Sequence, residues 1–333
     1  MSTMNQSWAI VLAAGEGTRL RDLTTRSGVS TPKQFCSLRG GRSLLGDTLA
    51  RTARIVPRKR IVVVVAEEHR RFWEPEVGGL APENVVIQPR NKGTAAGILL
   101  PALSVLERDP EARLAFLPSD HFVAREYVIE ASLRLALESL DERESELTLL
   151  GITPAAPETG YGWIVPARSD RLLRPVERFV EKPAQSTANE LFAAGALWNS
   201  FLFAVKGATL VRLFEERLPE LAVSFARVFA GGASGRATRL EALYAGLDTH
   251  DFSRDVLQAN EPRLRLEIVP PCGWTDLGTP ARVEACLAGL GEEPGARPAT
   301  FHAGRAVLDL ALAVRGLAAP RSGAQLGAQV MTA

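Results

Sequence analysis

The amino-acid sequence predicts an α/β protein with a mixed, mostly parallel sheet and helices on both faces. Strand-like apolar runs alternate with helical patterns through the first half of the 333-residue chain. This order is typical of a parallel sheet, because each crossover helix covers one face of it. The run at residues 61–65 contains no polar residue, which indicates a strand that is buried on both faces.

The elements of the first half are read from hydrophobic periodicity and from the turn residues that bound each run. An apolar stretch begins at Trp8 and ends in a glycine-containing loop. Further strands are predicted at 61–65, 85–87, 114–117 and 147–150, and helices at 43–56 and 94–108.

The second half mixes short strands with helices and carries no fixed-period repeat. From about residue 291 onward the chain is rich in Ala, Gly and Pro. We therefore expect one domain over residues 1–290 and a short, partly flexible extension over residues 291–333. The predicted elements are strands at 179–181, 202–205 and 264–269, a helix at 209–229 and a loop at 231–235.

The composition limits the classes of protein. A net charge of +1 argues against a nucleic-acid-binding protein, which needs a basic excess. The three cysteines have no metal-ligand spacing, and free thiols suit the reducing cytoplasm, where we expect this protein. The N-terminal apolar run lacks the basic segment of a signal peptide, and the apolar stretch 95–106 is too short to span a bilayer. We expect neither a nucleic-acid partner nor a membrane, and the sequence leaves open whether the chain forms a homodimer.

The glycine-containing loop after the first strand indicates an anion-binding site. Gly15 and Gly17 let a bulky anion approach the main chain, and successive N–H groups in such a loop form an anion-binding nest. Arg19 and Lys33 add two positive charges. The spacing matches neither the dinucleotide pattern nor a P-loop, so a plain glycine turn is the alternative. The four residues together favour a site for a nucleoside triphosphate.

Three segments of interest directly follow predicted strands. They are the glycine loop, residues 88–94 after the third strand and residues 118–121 after the fourth. In open α/β sheets, ligands bind beyond the carboxyl ends of the strands. The three segments therefore predict one common site.

Two aspartates are candidate metal ligands. Asp120 directly follows an apolar strand, and Asp276 lies in a turn between Gly273 and Gly278. Mg²⁺ usually takes one or two protein carboxylates and leaves its other positions for water and substrate phosphates. Each aspartate has an alternative role as the N-cap of a following helix.

Other candidates suit a base or a sugar. The amide of Gln88 offers a donor and an acceptor to a base edge, and Gly93 would let a base lie against the main chain. Residues 159–162 and 181–183 offer backbone N–H groups, a carboxylate and the ammonium of Lys182 for a sugar phosphate. Taken singly, each of these is better explained as structural.

Together, these motifs resemble the sugar-1-phosphate nucleotidyltransferases, and among them the mannose-1-phosphate guanylyltransferases. The matching motifs occur in the family order and extend from residue 8 to about residue 290. They are LAAGEGTRL at 12–20, TPKQF at 31–35, LPSDH at 117–121, GITP at 151–154, ETGYG at 158–162, FVEKP at 179–183, WNS at 198–200 and WTDLG at 274–278.

The resemblance implies a Rossmann-like nucleotidyltransferase fold and the formation of GDP-mannose and pyrophosphate from GTP and mannose 1-phosphate, with Mg²⁺ as cofactor. It implies that Arg19, Lys33 and Asp120 are catalytic and that Asp120 and Asp276 bind the metal. His121 is not needed as a general base, because a sugar phosphate is already an anion. The nucleotide would be held by Leu12, Ala13, Ala14, Gly15, Gly17, Thr18, Arg19, Lys33, Gln88, Gly93 and Thr94, and the sugar phosphate by Gly162, Glu181, Lys182 and Asn199.

The chain departs from the family pattern at several positions. Residues 21–22 are Arg-Asp where relatives have Trp-Pro, and residues 92–94 are Lys-Gly-Thr in place of Arg-Asn-Thr. Phe201 stands where relatives have Gly after Asn-Ser. Strand alternation would place Asn199, Phe201 and Phe203 on one face. The ring of Phe201 would then either reshape the sugar site or pack into the core below it.

Three other interpretations compete with this one. The same chemistry could serve other substrates, as in thymidylyl-, uridylyl- or guanylyltransferases that act on glucose or heptose phosphates. A non-catalytic relative that binds a nucleotide sugar and regulates a partner would be expected to lose its charged site residues, whereas Arg19, Lys33, Asp120 and Asp276 are all present. An NAD-dependent enzyme is disfavoured, because the first loop lacks the third glycine of that fingerprint.

Overall fold

A nine-stranded mixed sheet organises the part of the chain that the computed structural model describes, which is residues 6–26, 28–38, 40–140, 146–259, 261–291 and 308–309. The strands in chain order are β1 (Ser7–Ala13), β2 (Ile61–Ala66), β3 (Val85–Gln88), β4 (Arg113–Pro118), β5 (Leu147–Ile152), β6 (Trp163–Pro166), β7 (Arg174–Val180), β8 (Leu197–Lys206) and β9 (Leu264–Val269).

The parallel part of the sheet is built from the strands that the sequence predicts in the first half. The order across the sheet is β6-β7-β9-β5-β8-β4-β1-β2-β3. Strands β3, β2, β1 and β4 are mutually parallel. Strand β8 lies antiparallel between β4 and β5, β9 runs parallel to β5, and β6 and β7 join antiparallel at the far edge. The predicted mixed α/β fold is confirmed.

Helices flank the sheet, and their ends follow local signals. Helix α1 begins after Ser43, whose Oγ accepts a hydrogen bond from the backbone N–H of Gly46 (2.9 Å), as an N-cap does. The helix predicted at 209–229 is instead two helices, because Pro219 cannot donate a backbone hydrogen bond to the preceding turn. The helices of more than one turn are α1 (Leu44–Thr52), α2 (Gly93–Leu106), α3 (Glu126–Ser139), α4 (Gln185–Ala193), α5 (Gly207–Arg217), α6 (Pro219–Ala230), α7 (Arg236–Gly246) and α8 (Pro280–Gly291).

Two hydrophobic cores lie on opposite faces of the sheet. Successive residues of β1 alternate between them, so that Ile10 packs into one core and Val11 into the other. Helices α2, α5, α6 and α7 cover the first face, and α1, α3 and α4 cover the second. Among the described helices, none combines the length and the apolar character needed to cross a bilayer.

A third, smaller core ties the loops at one end of the sheet together. It packs Leu20 and Cys36 against Leu277 and against Val283 of α8. Residues 308–309 pair in parallel with Cys36–Ser37 beside this core. The rest of the predicted extension 291–333 lies outside the described residues apart from Gly291, so the domain boundary at residue 290 stays a prediction.

Candidate active site

A cleft of about 330 Å³ opens at the carboxyl ends of β1, β3 and β4, where the sequence predicts a common site. Leu12 of β1, Gln88 at the end of β3 and Asp120 just after β4 line it. A recess of about 350 Å³ adjoins the cleft, and Arg19, Asn91 and Asp120 line both. The coincidence of strand ends and cleft supports a single site.

The predicted site residues converge on these two spaces, with one exception. Ala13 is buried in the second core, and its carbonyl accepts a hydrogen bond from Gln34 Nε2 (3.0 Å). Its side chain therefore does not reach a ligand in the cleft. The recess is lined by Gly17, Thr18 and Lys33, and the cleft by Leu12, Ala14, Gly15, Arg19, Gln88, Gly93, Thr94, Asp120, Gly162, Glu181, Lys182, Asn199 and Asp276.

The glycine loop is fixed to the turn that carries Lys33. Gly17 has φ 62°, and a Cβ there would lie 3.0 Å from the backbone nitrogen of Lys33. Gln34 Nε2 donates to the carbonyl of Gly15 (2.7 Å) as well as to that of Ala13, which sequence reasoning missed. No atom lies within 4 Å of the position that a Cβ of Gly15 would take, so the space above Gly15 is open.

Lys33 and the two aspartates meet on the floor of the site. Lys33 Nζ lies 2.9 Å from Asp120 Oδ2 and also donates to the backbone carbonyl of Asp276. An antiparallel pair of short strands, Phe122–Val123 and Trp274–Thr275, brings the two aspartates together although they are far apart in sequence. The lysine is only 5% exposed, so Asp120 neutralises a nearly buried charge.

The charges around the aspartates keep both of them ionised. Burial alone would raise the pKa of Asp120. The ammonium of Lys33 outweighs this effect of burial, so the pKa of Asp120 lies below the usual range. Burial of Asp276 is likewise outweighed, by His121 and Lys33 nearby and by a hydrogen bond from Tyr161, so its pKa is also lowered. Burial lowers the pKa of the imidazole of His121, which lies beside Asp120.

The two carboxylates fit a hard cation better than they fit the capping alternative. Asp120 caps no helix, since the next one begins at Glu126. Asp276 Oδ1 accepts from Tyr161 (2.8 Å), from Arg282 (2.9 Å) and from the backbone of Gly278 (2.9 Å). Within the described ranges, Asp120 Oδ1 and Asp276 Oδ2 accept no hydrogen bond, although His121 Nε2 lies 3.6 Å from Asp120 Oδ1, so each aspartate keeps one oxygen for a ligand.

The protein would supply few ligands to such a cation. No group of three or more His, Cys, Asp or Glu side chains in the described part of the chain is arranged to hold a metal ion. Two carboxylates with the remaining positions open is the arrangement in which Mg²⁺ binds together with substrate phosphates.

Arg282 of α8 is a functional candidate that sequence reasoning missed. It donates to Asp276 Oδ1 and to Glu158 Oε2 (2.6 Å), and its guanidinium lies 4.2 Å from the ring centroid of Tyr161. It therefore connects the turn of Asp276 with the segment ending at Gly162. Its only sequence signal is its place just after the WTDLG motif.

Three predicted sugar ligands pack against one another. A Cβ on Gly162 would lie 2.6 Å from Glu181 Oε2 and 3.4 Å from Asn199 Cβ, so the site requires glycine here. The backbone N–H of Asn199 donates to the carbonyl of Gly162 (2.7 Å). Lys182 Nζ lies 2.7 Å from Glu181 Oε1 and is about half exposed, which leaves its charge available to a phosphate.

Phe201 both lines the cleft and packs on the core, so neither of the two predicted alternatives holds alone. Its ring meets the rings of Phe203 and Phe252 edge-on at 6.2 and 6.3 Å. The predicted sharing of one face with Phe203 is confirmed, although the strand register shifts between Asn199 and Phe203.

Backbone strain is concentrated at this cleft. Phe201 has φ 59°, Lys182 φ 42° and Leu277, next to Asp276, φ 49°; they are the non-glycine residues with positive φ in the described part of the chain. Such conformations cost free energy and cluster at functional sites.

Gly93 has a packing role that the sequence did not indicate. Its φ is 83°, and a Cβ there would lie 2.3 Å from the carbonyl oxygen of His250. Thr94 Oγ1 accepts a hydrogen bond from the backbone of Phe252 (2.7 Å), just before a π-helical turn at Ser253–Leu257. Such turns are frequent at functional sites, and here the turn sets the wall of the cleft.

The fold and the cleft define an α/β protein with a candidate ligand site at the carboxyl ends of its strands. The chain matches the profile of the nucleotidyl transferase family over residues 8–286 and belongs to that family. The resemblance predicted from the motifs is confirmed.

Individual relatives agree with this assignment. The xanthan biosynthesis protein XanB of Xanthomonas campestris pv. campestris (strain B100) is 31% identical over 282 residues, which cover 83% of this chain and 58% of that protein. The mannose-1-phosphate guanylyltransferase of Escherichia coli (strain K12) is 32% identical over 224 residues, covering 64% of this chain and 46% of that protein. The chain thus spans about half the length of the curated relatives it matches.

A solved structure resembles most of this chain. The crystal structure of a protein named mannose-1-phosphate geranyltransferase, from Thermus thermophilus, is 33% identical, with a TM-score of 0.73, and the match covers 84% of this chain and 79% of that one.

Proposed function

We propose that this protein transfers a guanylyl group from GTP to mannose 1-phosphate and forms GDP-mannose and pyrophosphate. The observation that carries the proposal is one continuous site with a cationic glycine loop at one end and the Gly162, Glu181 and Asn199 group at the other. Lys33 and two carboxylates lie between them. The choice of guanine and mannose is supported by the name of the Escherichia coli relative.

The physical problem is the approach of two polyanions. Two unit charges 4 Å apart repel by about 1 kcal/mol in water and by about 4 kcal/mol at an effective dielectric constant of 20. Arg19 and Lys33 would offset this repulsion at the triphosphate, and Lys182 at the sugar phosphate. The open space above Gly15 would admit the phosphates to the main-chain N–H groups of the loop.

The reaction needs no proton transfer at its start. A phosphate oxygen of mannose 1-phosphate attacks the α-phosphorus of GTP, and the bond from that phosphorus to the bridging oxygen breaks. The electron pair leaves with pyrophosphate. Catalysis is then alignment of the two substrates together with stabilisation of the charge that grows on the leaving group.

Asp120 and Asp276 would hold Mg²⁺ through the oxygens that accept no hydrogen bond from the described chain. When bound, the ion would stabilise negative charge on phosphate oxygens and orient them. Arg282 would keep Asp276 in place, and Lys33 would do the same for Asp120.

The test is a pyrophosphate-release screen that crosses GTP, ATP, UTP and dTTP with mannose, glucose and heptose 1-phosphates in the presence of Mg²⁺. We expect release to require both substrates and to be fastest with GTP and mannose 1-phosphate. Asp120→Asn and Asp276→Asn should each lower turnover by orders of magnitude, whereas Asp22→Asn, on the exposed surface, should not. An absence of release with every pair would contradict the proposed activity, and release only with dTTP or UTP would contradict the choice of base.

A further inference from the structure

The amide of Gln88 is oriented at the cleft by a residue outside every recognised motif. Gln88 ends β3 and is 1% exposed. Its Oε1 accepts a hydrogen bond from the hydroxyl of Tyr244 on α7 (2.9 Å). Its Nε2 donates to no acceptor in the described part of the chain. An amide held in this way presents its N–H donors to the cleft.

Tyr244 leaves the amide no second orientation of equal energy. The side chain is fully buried, and burial raises the pKa of its hydroxyl, so the hydroxyl keeps its proton. A buried hydroxyl has to donate that proton, and the acceptor within reach is Gln88 Oε1. After half a turn of the amide, Nε2 could donate to the hydroxyl oxygen, but the hydroxyl hydrogen would lose its acceptor, Gln88 Oε1.

The space beside the amide nitrogen is open. Gly97 of α2 lines the cleft together with Gln88. A Cβ on Gly97 would lie 3.7 Å from Gln88 Nε2, and apart from its chain neighbours and the backbone of its own helix no other described atom lies within 4 Å of that position. The nitrogen therefore faces a part of the cleft that the protein itself does not fill.

We propose that Tyr244 is a positioning residue that sets base selectivity by holding the amide of Gln88 in one orientation. The site then accepts a base with a carbonyl oxygen facing Gln88 Nε2 and rejects a base with an amino group at that position. The inference rests on the proposed function and goes beyond it by naming the feature that selects the base. Guanine and hypoxanthine carry a carbonyl oxygen at C6, whereas adenine carries an amino group. An amino group against Gln88 Nε2 would place two donors together where water is largely excluded.

The test compares ITP with ATP, two purine nucleotides of the same size that differ at N1 and at the C6 group. Calorimetric titration without sugar phosphate measures binding alone. We expect the wild-type protein to bind ITP at least about tenfold more tightly than ATP. A tenfold ratio of dissociation constants corresponds to the loss of about one hydrogen bond. In Tyr244→Phe the amide is free to rotate, so the ratio should fall towards one. In Gln88→Glu an acceptor faces the cleft, so the preference should reverse.

The control is Tyr127→Phe, which alters an exposed tyrosine and should keep the wild-type ratio. Tight binding of both nucleotides with a ratio near one in the wild type would overturn this proposal and leave the proposed function standing. An unchanged ratio in a folded Tyr244→Phe protein would also overturn it. Binding of no nucleoside triphosphate would overturn both.

Discussion

Single residues decide how the site handles charge. Arg19 is exposed on the glycine loop, and Lys33 is buried against Asp120. In the proposed reaction, both would stabilise the charge that grows on the leaving pyrophosphate. Arg19→Ala and Lys33→Ala should each lower turnover by about 10²–10³-fold, the usual effect of losing one preorganised donor, and should weaken GTP binding less. Separate measurements of turnover and GTP affinity, with the exposed Arg21→Ala as control, check this.

A pure loss of GTP affinity, with normal turnover at saturation, would contradict these roles. For Lys33 the measurement has to include a folding check, because its removal leaves the carboxylate of Asp120 without its nearest cation.

Phe201 has a left-handed backbone and a ring that reaches the cleft, and two substitutions separate these features. Phe201→Gly and Phe201→Ala both remove the ring, so both should change the order of preference among mannose, glucose and heptose 1-phosphates in the same way. Only glycine relieves the backbone strain. The free energy of unfolding of Phe201→Gly should therefore be about 1 kcal/mol higher than that of Phe201→Ala. An unchanged sugar order in both variants would show that the ring serves only the core.

At the scale of elements, strand β9 carries a buried carboxyl group that costs stability. Burial raises the pKa of Glu267, and the nearest polar partner is Ser132 Oγ at 3.4 Å. Below the unfolded-state pKa of about 4.3 the carboxyl is protonated in both states and contributes nothing. Between that value and the higher folded-state pKa, the unfolded state loses the proton while the folded state keeps it, so stability is lost as the pH rises.

Glu267→Gln should therefore increase the free energy of unfolding at pH 7, and the gain should shrink as the pH falls towards 4. Urea unfolding at several pH values measures this, with the exposed Glu215→Gln on α5 as the matched control. If Glu267→Gln raised the free energy of unfolding equally at pH 4 and at pH 7, ionisation of Glu267 would not be what destabilises the folded state.

The sequence predicts buried parallel strands better than half-buried ones. Strand β2 is a continuous apolar run, and its predicted bounds agree with the structure to within one residue. Strand β7 alternates between buried and exposed positions at the sheet edge, and only its last residues were predicted. The division of one predicted helix at Pro219 could have been read from the proline. The register shift before Phe203 has no comparable local signal.

At the scale of the whole molecule, motif residues could be located from sequence, but the residues that hold them could not. Gln34, Tyr244 and Arg282 each bond a site residue on another element. Such pairs form only when the sheet order brings distant segments together, so spacing along the chain carries no signal for them. Gly93 is the opposite case, a motif residue with a structural reason of its own. Its close packing against His250 requires glycine whether or not a ligand binds.

In the proposed function, one cleft joins a sugar phosphate to the α-phosphorus of a nucleotide. The most direct measurement is ³¹P nuclear magnetic resonance of the protein with Mg²⁺, GTP and mannose 1-phosphate labelled with ¹⁸O on its phosphate. We expect a GDP-mannose product in which a labelled oxygen bridges the two phosphorus atoms, together with unlabelled pyrophosphate. Release of inorganic phosphate, or a product whose bridging oxygen carries no label, would contradict it.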